Sequence, residues 1–87
     1  MIRKIYVPGE YLCQEDTFAD DMFMLRLGRV NIFCRGCKVG ELMDGEFFGE
    51  MCALGISSKR IATAVAIDFC ACYLLKNRVL EKYLGGK

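Results

Sequence analysis

With 87 residues, the chain has room for a single domain, and a domain of that size buries only about 60% of the surface its unfolded chain exposes, so marginal stability on its own is expected. A balance of 12 basic against 11 acidic residues gives a formal net charge of +1 with no Lys/Arg run, which removes the electrostatic footprint of a nucleic-acid or anionic-membrane binder. There is no histidine, the commonest general base and metal ligand, so hydrolase, transferase and most metalloenzyme readings lose their usual machinery.

Ile2 to Val7 alternates enough for an edge strand, and Pro8-Gly9 turns it, proline fixing φ and glycine accepting positive φ. Tyr11-Leu12-Cys13 reads as a second short strand. Gln14 to Asp21 is polar and acidic around Phe18 and reads as a solvated loop; its oxygen ligands lack the spacing of a calcium loop. Met22 to Leu27 and Val30 to Phe33 read as two strands joined by a glycine turn at Gly28-Arg29. Cys34 to Lys38 makes another turn, and Val39 to Met43 is a short strand ended by Asp44-Gly45. Near the end, Ile61 to Ile67 and Phe69 to Leu75 are apolar segments split by Asp68, and their β-branched and aromatic residues favour paired strands. Lys76 to Leu84 is the one segment that looks helical, with Gly85-Gly86 to stop it. Many short strands at this spacing predict an all-β sandwich or barrel.

No stretch reaches the roughly 18 charge-free apolar residues of a membrane span; the longest, Ile61 to Leu75, is broken by Asp68. Met1-Ile2-Arg3-Lys4 lacks an apolar signal core. The expectation is a soluble, cytoplasmic chain that does not insert into a membrane. The 6 cysteines look like strand filling. Only Cys34-Arg35-Gly36-Cys37 has a CxxC spacing; a four-thiolate zinc site with Cys70 and Cys72 is the alternative to a plain hairpin turn, and the hairpin is preferred. No metal and no catalytic residue is assigned.

The most informative stretch runs from Phe47 to Thr63: an aromatic pair, Gly49, one acid, a short apolar helical turn, a polar loop and Arg60 ahead of a small-residue strand. Glycine lets a backbone approach a ligand without a Cβ in the way, and amides at the start of a helical turn point outward toward negative charge. The planar fork of Arg60 matches phosphate oxygens, whereas Glu50, an acceptor, suits a sugar hydroxyl. Those are the parts of a cradle for a phosphate and a neighbouring hydroxyl.

On Phe48-Gly49-Glu50 and Arg60-Ile61-Ala62-Thr63 the sequence resembles the cyclic-nucleotide-binding domain family, in the form found in cyclic-nucleotide-gated and hyperpolarization-activated channels. The resemblance continues through Val7 to Leu12, Met22 to Val30, Asp44-Gly45 and Phe69 to Tyr73, so it covers nearly the whole chain, 1–87, as one domain. It implies an eight-stranded antiparallel β-roll with short helices, a phosphate-binding cassette at about 47–63 and a following helix at about 76–84. It also implies that Gly49, Glu50, Met51, Cys52, Arg60, Ile61 and Thr63 contact the ligand. Ile32 and Leu42 align with positions that pack on the base, with ordinary core packing as the equal alternative.

The sequence departs from the family pattern in places. The final lid helix would begin beyond Lys87. Ile61 replaces a threonine that favours cGMP, which makes cAMP the better expectation. Ala53 replaces a usual leucine, the loop Gly55 to Lys59 is one residue longer than the compact cassette, and the segment between Tyr73 and Lys82 is shortened. The resulting expectation is a non-enzymatic module, with no cofactor, that binds a cyclic nucleotide and controls an attached effector, an ion channel first. A kinase regulatory subunit is the nearest variant, and the rival is an interaction module that kept the roll and lost the ligand. Arg60 is expected to contact the phosphate, with a solvated loop arginine as the alternative, and its substitution is expected to abolish binding while leaving the fold intact.

Overall fold

The computed structural model describes residues 2–77. Eight strands and one helical turn follow one another: β1 (Ile2–Tyr6), β2 (Tyr11–Cys13), β3 (Asp21–Leu27), β4 (Val30–Cys34), β5 (Cys37–Leu42), β6 (Phe47–Phe48), α1 (Glu50–Ala53), β7 (Thr63–Ala66) and β8 (Cys70–Lys76). They form two four-stranded antiparallel sheets with strand orders β1-β8-β3-β6 and β2-β7-β4-β5. This is the all-β, eight-stranded antiparallel roll expected from the sequence.

The alternation of each strand decides which side meets the core. In β7, Ala64 and Ala66 are buried while Thr63 and Val65 are half-buried; in β8, Cys70 and Cys72 are buried and Ala71 less so. With Tyr6, Leu12, Phe23, Leu25, Val30, Ile32 and Ala62 they make one continuous core between the sheets, the alternation being the side-chain period of two that a pleated strand imposes. Burial raises the thiol pKa of Cys70 and pushes that of Cys72 to about 11, while the phenol of Tyr6 rises to about 12 for the same reason. These groups are neutral core filling at physiological pH. Arg60 is also buried.

Two expected pairings are corrected. β3 and β4 are not a hairpin: β3 lies in one sheet and β4 in the other. The same holds for β7 and β8. Gly28-Arg29 and Ile67–Phe69 are the corners at which the chain crosses between sheets, and they lie against each other. The Ile67 amide donates to the Arg29 carbonyl at 2.9 Å, and Arg29 Nε pairs with Asp68 Oδ2 at 3.1 Å. Gly28 holds φ +114°, and its amide donates to Asp44 Oδ1 at 2.9 Å. Sheet crossing is favoured because strands such as β4, β7 and β8 bury alternate residues, and stacking two sheets buries both apolar faces at once.

Smaller shifts have local causes. The turn after β4 is only Arg35-Gly36, with φ 52° and 80°, so β5 begins at Cys37 rather than Val39. Left-handed backbone at both central positions suits a two-residue hairpin whose twist matches its strands. Ile61 and Ala62 precede β7 instead of belonging to it, and Phe47-Phe48 forms a two-residue strand on β3. The helix expected at about 76–84 lies outside the described residues except for Lys76, which closes β8, and Asn77.

Candidate functional site

Gly49 is the N-cap of α1 at φ 90°, a left-handed conformation open to glycine and rarely to other residues. Its missing side chain is put to use: a Cβ there would overlap Arg60 Nη1. The guanidinium therefore lies directly beneath the backbone that opens α1. Together, residues 48–52 and 59–61 line a pocket of about 170 Å³. The Cys52 amide is already engaged, donating to the Gly49 carbonyl at 3.1 Å, and the Ala53 amide reaches the same oxygen at 3.3 Å. That leaves the Glu50 and Met51 amides, which as the first of a helical turn have no acceptor within it. Glu50 is exposed at the head of this turn, and Cys52 and Ala53 turn inward.

Arg60 is not a solvated loop side chain. Its side chain is 3% exposed. Nη1 donates to the backbone carbonyl of Asp21 at 2.6 Å, Nη2 makes an ion pair with the Asp21 carboxylate, and the guanidinium carbon lies 5.0 Å from the centre of the Phe23 ring. A guanidinium carries five N–H donors. Asp21 occupies two of these groups, so the fork can keep its partner and still offer hydrogens to an anion on the pocket side. Burial against an aromatic face strengthens both interactions, because less water competes.

Asp21 escaped sequence reasoning. It stands at the end of the acidic segment read as a solvated loop, 39 positions from Arg60, and nothing local marks one of several acids as the buried one. That segment also serves as a strap. The Asp16 amide donates to the Arg60 carbonyl at 2.8 Å, the Arg60 amide to the Thr17 carbonyl at 2.9 Å, and the Ala19 amide to the Ser58 carbonyl at 3.1 Å. Lys59 Nζ sits 5.1 Å over the Phe18 ring. Asn77 was missed as well; its side-chain amide caps the Ala53 carbonyl at 2.6 Å.

Of the residues expected to contact a ligand, Gly49, Glu50, Met51, Cys52, Arg60 and Ile61 come together around the pocket. Ile61 is 63% exposed. Thr63 does not line this pocket: its hydroxyl accepts from the Glu15 amide at 3.0 Å. Ile32 is buried in the core and Leu42 packs against it, which is the ordinary packing alternative for both.

Comparison with known proteins agrees with this geometry. The family model for the cyclic nucleotide-binding domain matches residues 3–86. Potassium/sodium hyperpolarization-activated cyclic nucleotide-gated channel 4 of Homo sapiens is 34% identical over 84 residues, covering 92% of this chain and 7% of the channel. The corresponding channel 2 of Mus musculus has the same identity and covers 10% of its own length. The chain thus spans a tenth or less of these curated relatives. Among solved structures, a cAMP-bound PfPKA-R (141-441) superposes with a TM-score of 0.89 at 27% identity, covering 98% of this chain and 30% of that one. Since the match takes in nearly every described strand as well as the pocket, the chain belongs to the cyclic nucleotide-binding domain family.

Proposed function

We propose that the chain is a ligand-sensing module whose pocket under α1 takes the cyclic phosphate of a nucleotide, cAMP ahead of cGMP, and whose bound state controls an attached effector. The observation that carries this reading is the convergence of Arg60, the Gly49 backbone and the opening amides of α1 on one pocket. Arg60 supplies charge and a fork, the Glu50 and Met51 amides supply donors, and the Glu50 carboxylate accepts from a ribose hydroxyl. The channel relatives favour a channel pore as effector, with a kinase regulatory subunit as the variant suggested by the solved neighbours. A cytoplasmic position is part of the same reading and is supported by the channel relatives; among the described residues no helix is long and apolar enough to cross a membrane.

One observation favours a second reading. Arg60 already has a complete structural role in its buried pair with Asp21, and a roll that had lost its ligand would keep it for that reason alone. Calorimetric titration of the purified chain with cAMP and with cGMP separates the two. Saturable heat supports the module, and no response to millimolar amounts of either leaves the interaction domain.

Two substitutions probe the individual roles. Glu50→Gln keeps an acceptor for a hydroxyl but removes its charge, so cAMP affinity should fall by less than tenfold, the loss expected for part of one charge-assisted hydrogen bond worth about 1.5 to 3 kcal/mol. A loss greater than that of an Arg60 variant, read in the same titration, would mean that the two roles are exchanged. Ile61→Thr introduces a hydroxyl at the pocket edge within reach of a guanine amino group. One neutral hydrogen bond contributes about 0.5 to 1.5 kcal/mol, so cGMP should bind up to roughly tenfold better while cAMP changes little. An equal change for both ligands would show that Ile61 does not read the base.

A further inference from the structure

The hairpin between β4 and β5 places Cys34 directly opposite Cys37 across its two-residue turn. Opposed residues of an antiparallel ladder have Cα atoms about 4.5 to 5.5 Å apart, within the roughly 4.4 to 6.8 Å that a disulfide spans. Both are free thiols; Cys37 is exposed and Cys34 half-buried. The remaining cysteines are poor competitors. Cys52, Cys70 and Cys72 are buried, and burial raises the thiol pKa of Cys13, Cys70 and Cys72, keeping them protonated and unreactive.

The hairpin tip is also wired to the chain that leaves the pocket. The Cys34 thiol donates to the Ile61 carbonyl at 3.6 Å. The Arg35 amide donates to the Glu15 carboxylate at 3.0 and 3.3 Å, and the Glu15 amide in turn donates to Thr63 Oγ1 at 3.0 Å. Whatever moves Cys34 is felt at Ile61, the neighbour of Arg60.

We propose that Cys34 and Cys37 form a reversible oxidation site, closed by exchange with a small-molecule disulfide, and that closing it withdraws the Cys34 thiol from the Ile61 carbonyl. The Cys37 thiolate attacks one sulfur of the small disulfide, forming a mixed disulfide and expelling one small thiolate. The Cys34 thiolate then attacks the Cys37 sulfur, the S–S bond forms across the hairpin, and the second small thiolate leaves. Two protein thiols lose two electrons and two protons, and the small disulfide receives them as two thiols. Cys37 is exposed, which places the bond among the labile disulfides open to reduction. The oxidation site does not depend on the nucleotide reading.

The test is incubation of the purified chain with oxidised glutathione, acid quench and mass mapping. Trypsin cuts after Arg35, so the expected product is a pair of peptides, Val30–Arg35 and Gly36–Lys38, joined by a disulfide and free of glutathione. Cys34→Ser should retain glutathione on Cys37 for want of a resolving thiol. In the oxidised parent the Ile61 carbonyl carbon resonance should shift, whereas Cys37→Ser treated alike should leave Val30–Arg35 and Gly36–Lys38 unlinked. Glutathione persisting on Cys37 of the parent would overturn the site, and an unmoved Ile61 resonance in the linked chain would overturn its connection to the pocket.

Discussion

Arg60→Ala should unfold at a temperature well below the parent and show no heat on titration with cAMP. The side chain is 3% exposed and its partner Asp21 13% exposed, so truncation strands a carboxylate in surroundings that hydrate it poorly. Breaking a buried pair from one side costs about 3 to 5 kcal/mol. Lys76 Nζ, 3.7 Å from the other Asp21 oxygen, offers partial compensation and places the expected loss toward the lower end. Against a total stability of about 5 to 15 kcal/mol this is a large share, and at about 4 to 8 °C per kcal/mol it lowers the midpoint by more than 10 °C. The expectation that this substitution would spare the fold is corrected by the burial of the guanidinium. Asp21→Asn and the double variant complete a cycle. A coupling well above zero identifies the pair as the cause, and a single variant melting within a degree of the parent would dismiss it. Binding is then scored below the lowered midpoint, where the variant is still folded; undiminished affinity there would remove Arg60 from the phosphate site.

Gly28→Ala is expected to cost about 2 to 6 kcal/mol without touching the pocket. A φ of +114° is outside the range that residues with a Cβ readily enter, and the added carbon would lie 2.6 Å from the Phe69 carbonyl oxygen and 2.7 Å from Cys70 Sγ. Conformational strain of about 1 to 3 kcal/mol and overpacking of similar size combine here. Neither neighbour yields easily. The Phe69 oxygen is backbone at the second sheet crossing, and the Cys70 thiol donates to the Arg29 carbonyl at 3.3 Å. Gly40→Ala is the control, because nothing lies within 4 Å of its would-be Cβ; it should stay within about 0.5 kcal/mol of the parent. Urea midpoints on both variants decide the matter, and equal midpoints would mean that the crossing corners are not packed as described.

The strands were legible because their cause is local. Alternation in Thr63–Ala66 and Cys70–Lys76, and turn residues such as Asp44-Gly45, act over a few positions. Which strand pairs with which is not local. Val30 pairs with Ala66 on one side and Leu42 on the other, and nothing in the residues around Gly28 says that the chain leaves one sheet there for another. The pocket divides in the same way. Gly49 to Cys52 and Arg60 are read from one continuous cassette, while Asp21, which holds Arg60 in place, comes from far along the chain and looks like any solvated acid. Ile32 and Leu42 show the converse: an aligned position does not by itself say whether a side chain faces a ligand or the core.

The strand orders also govern when the chain can fold. β8 lies between β1 and β3, and β7 between β2 and β4. Without these two last strands, among the described residues only β3 with β6 and β4 with β5 have partners, and β1 and β2 have none. A nascent chain emerging from the ribosome must therefore carry β1 and β2 unpaired until the segment from Thr63 onward follows, with open strand edges in the interval. Closing contacts such as Ile2 with Leu74 requires bringing together nearly the whole contour, an entropic delay that places folding on the slow side for its length. Pulse-labelled amide exchange during refolding should find Val30–Leu42 protected first, and Ile2–Cys13 together with Thr63–Lys76 last and in one step.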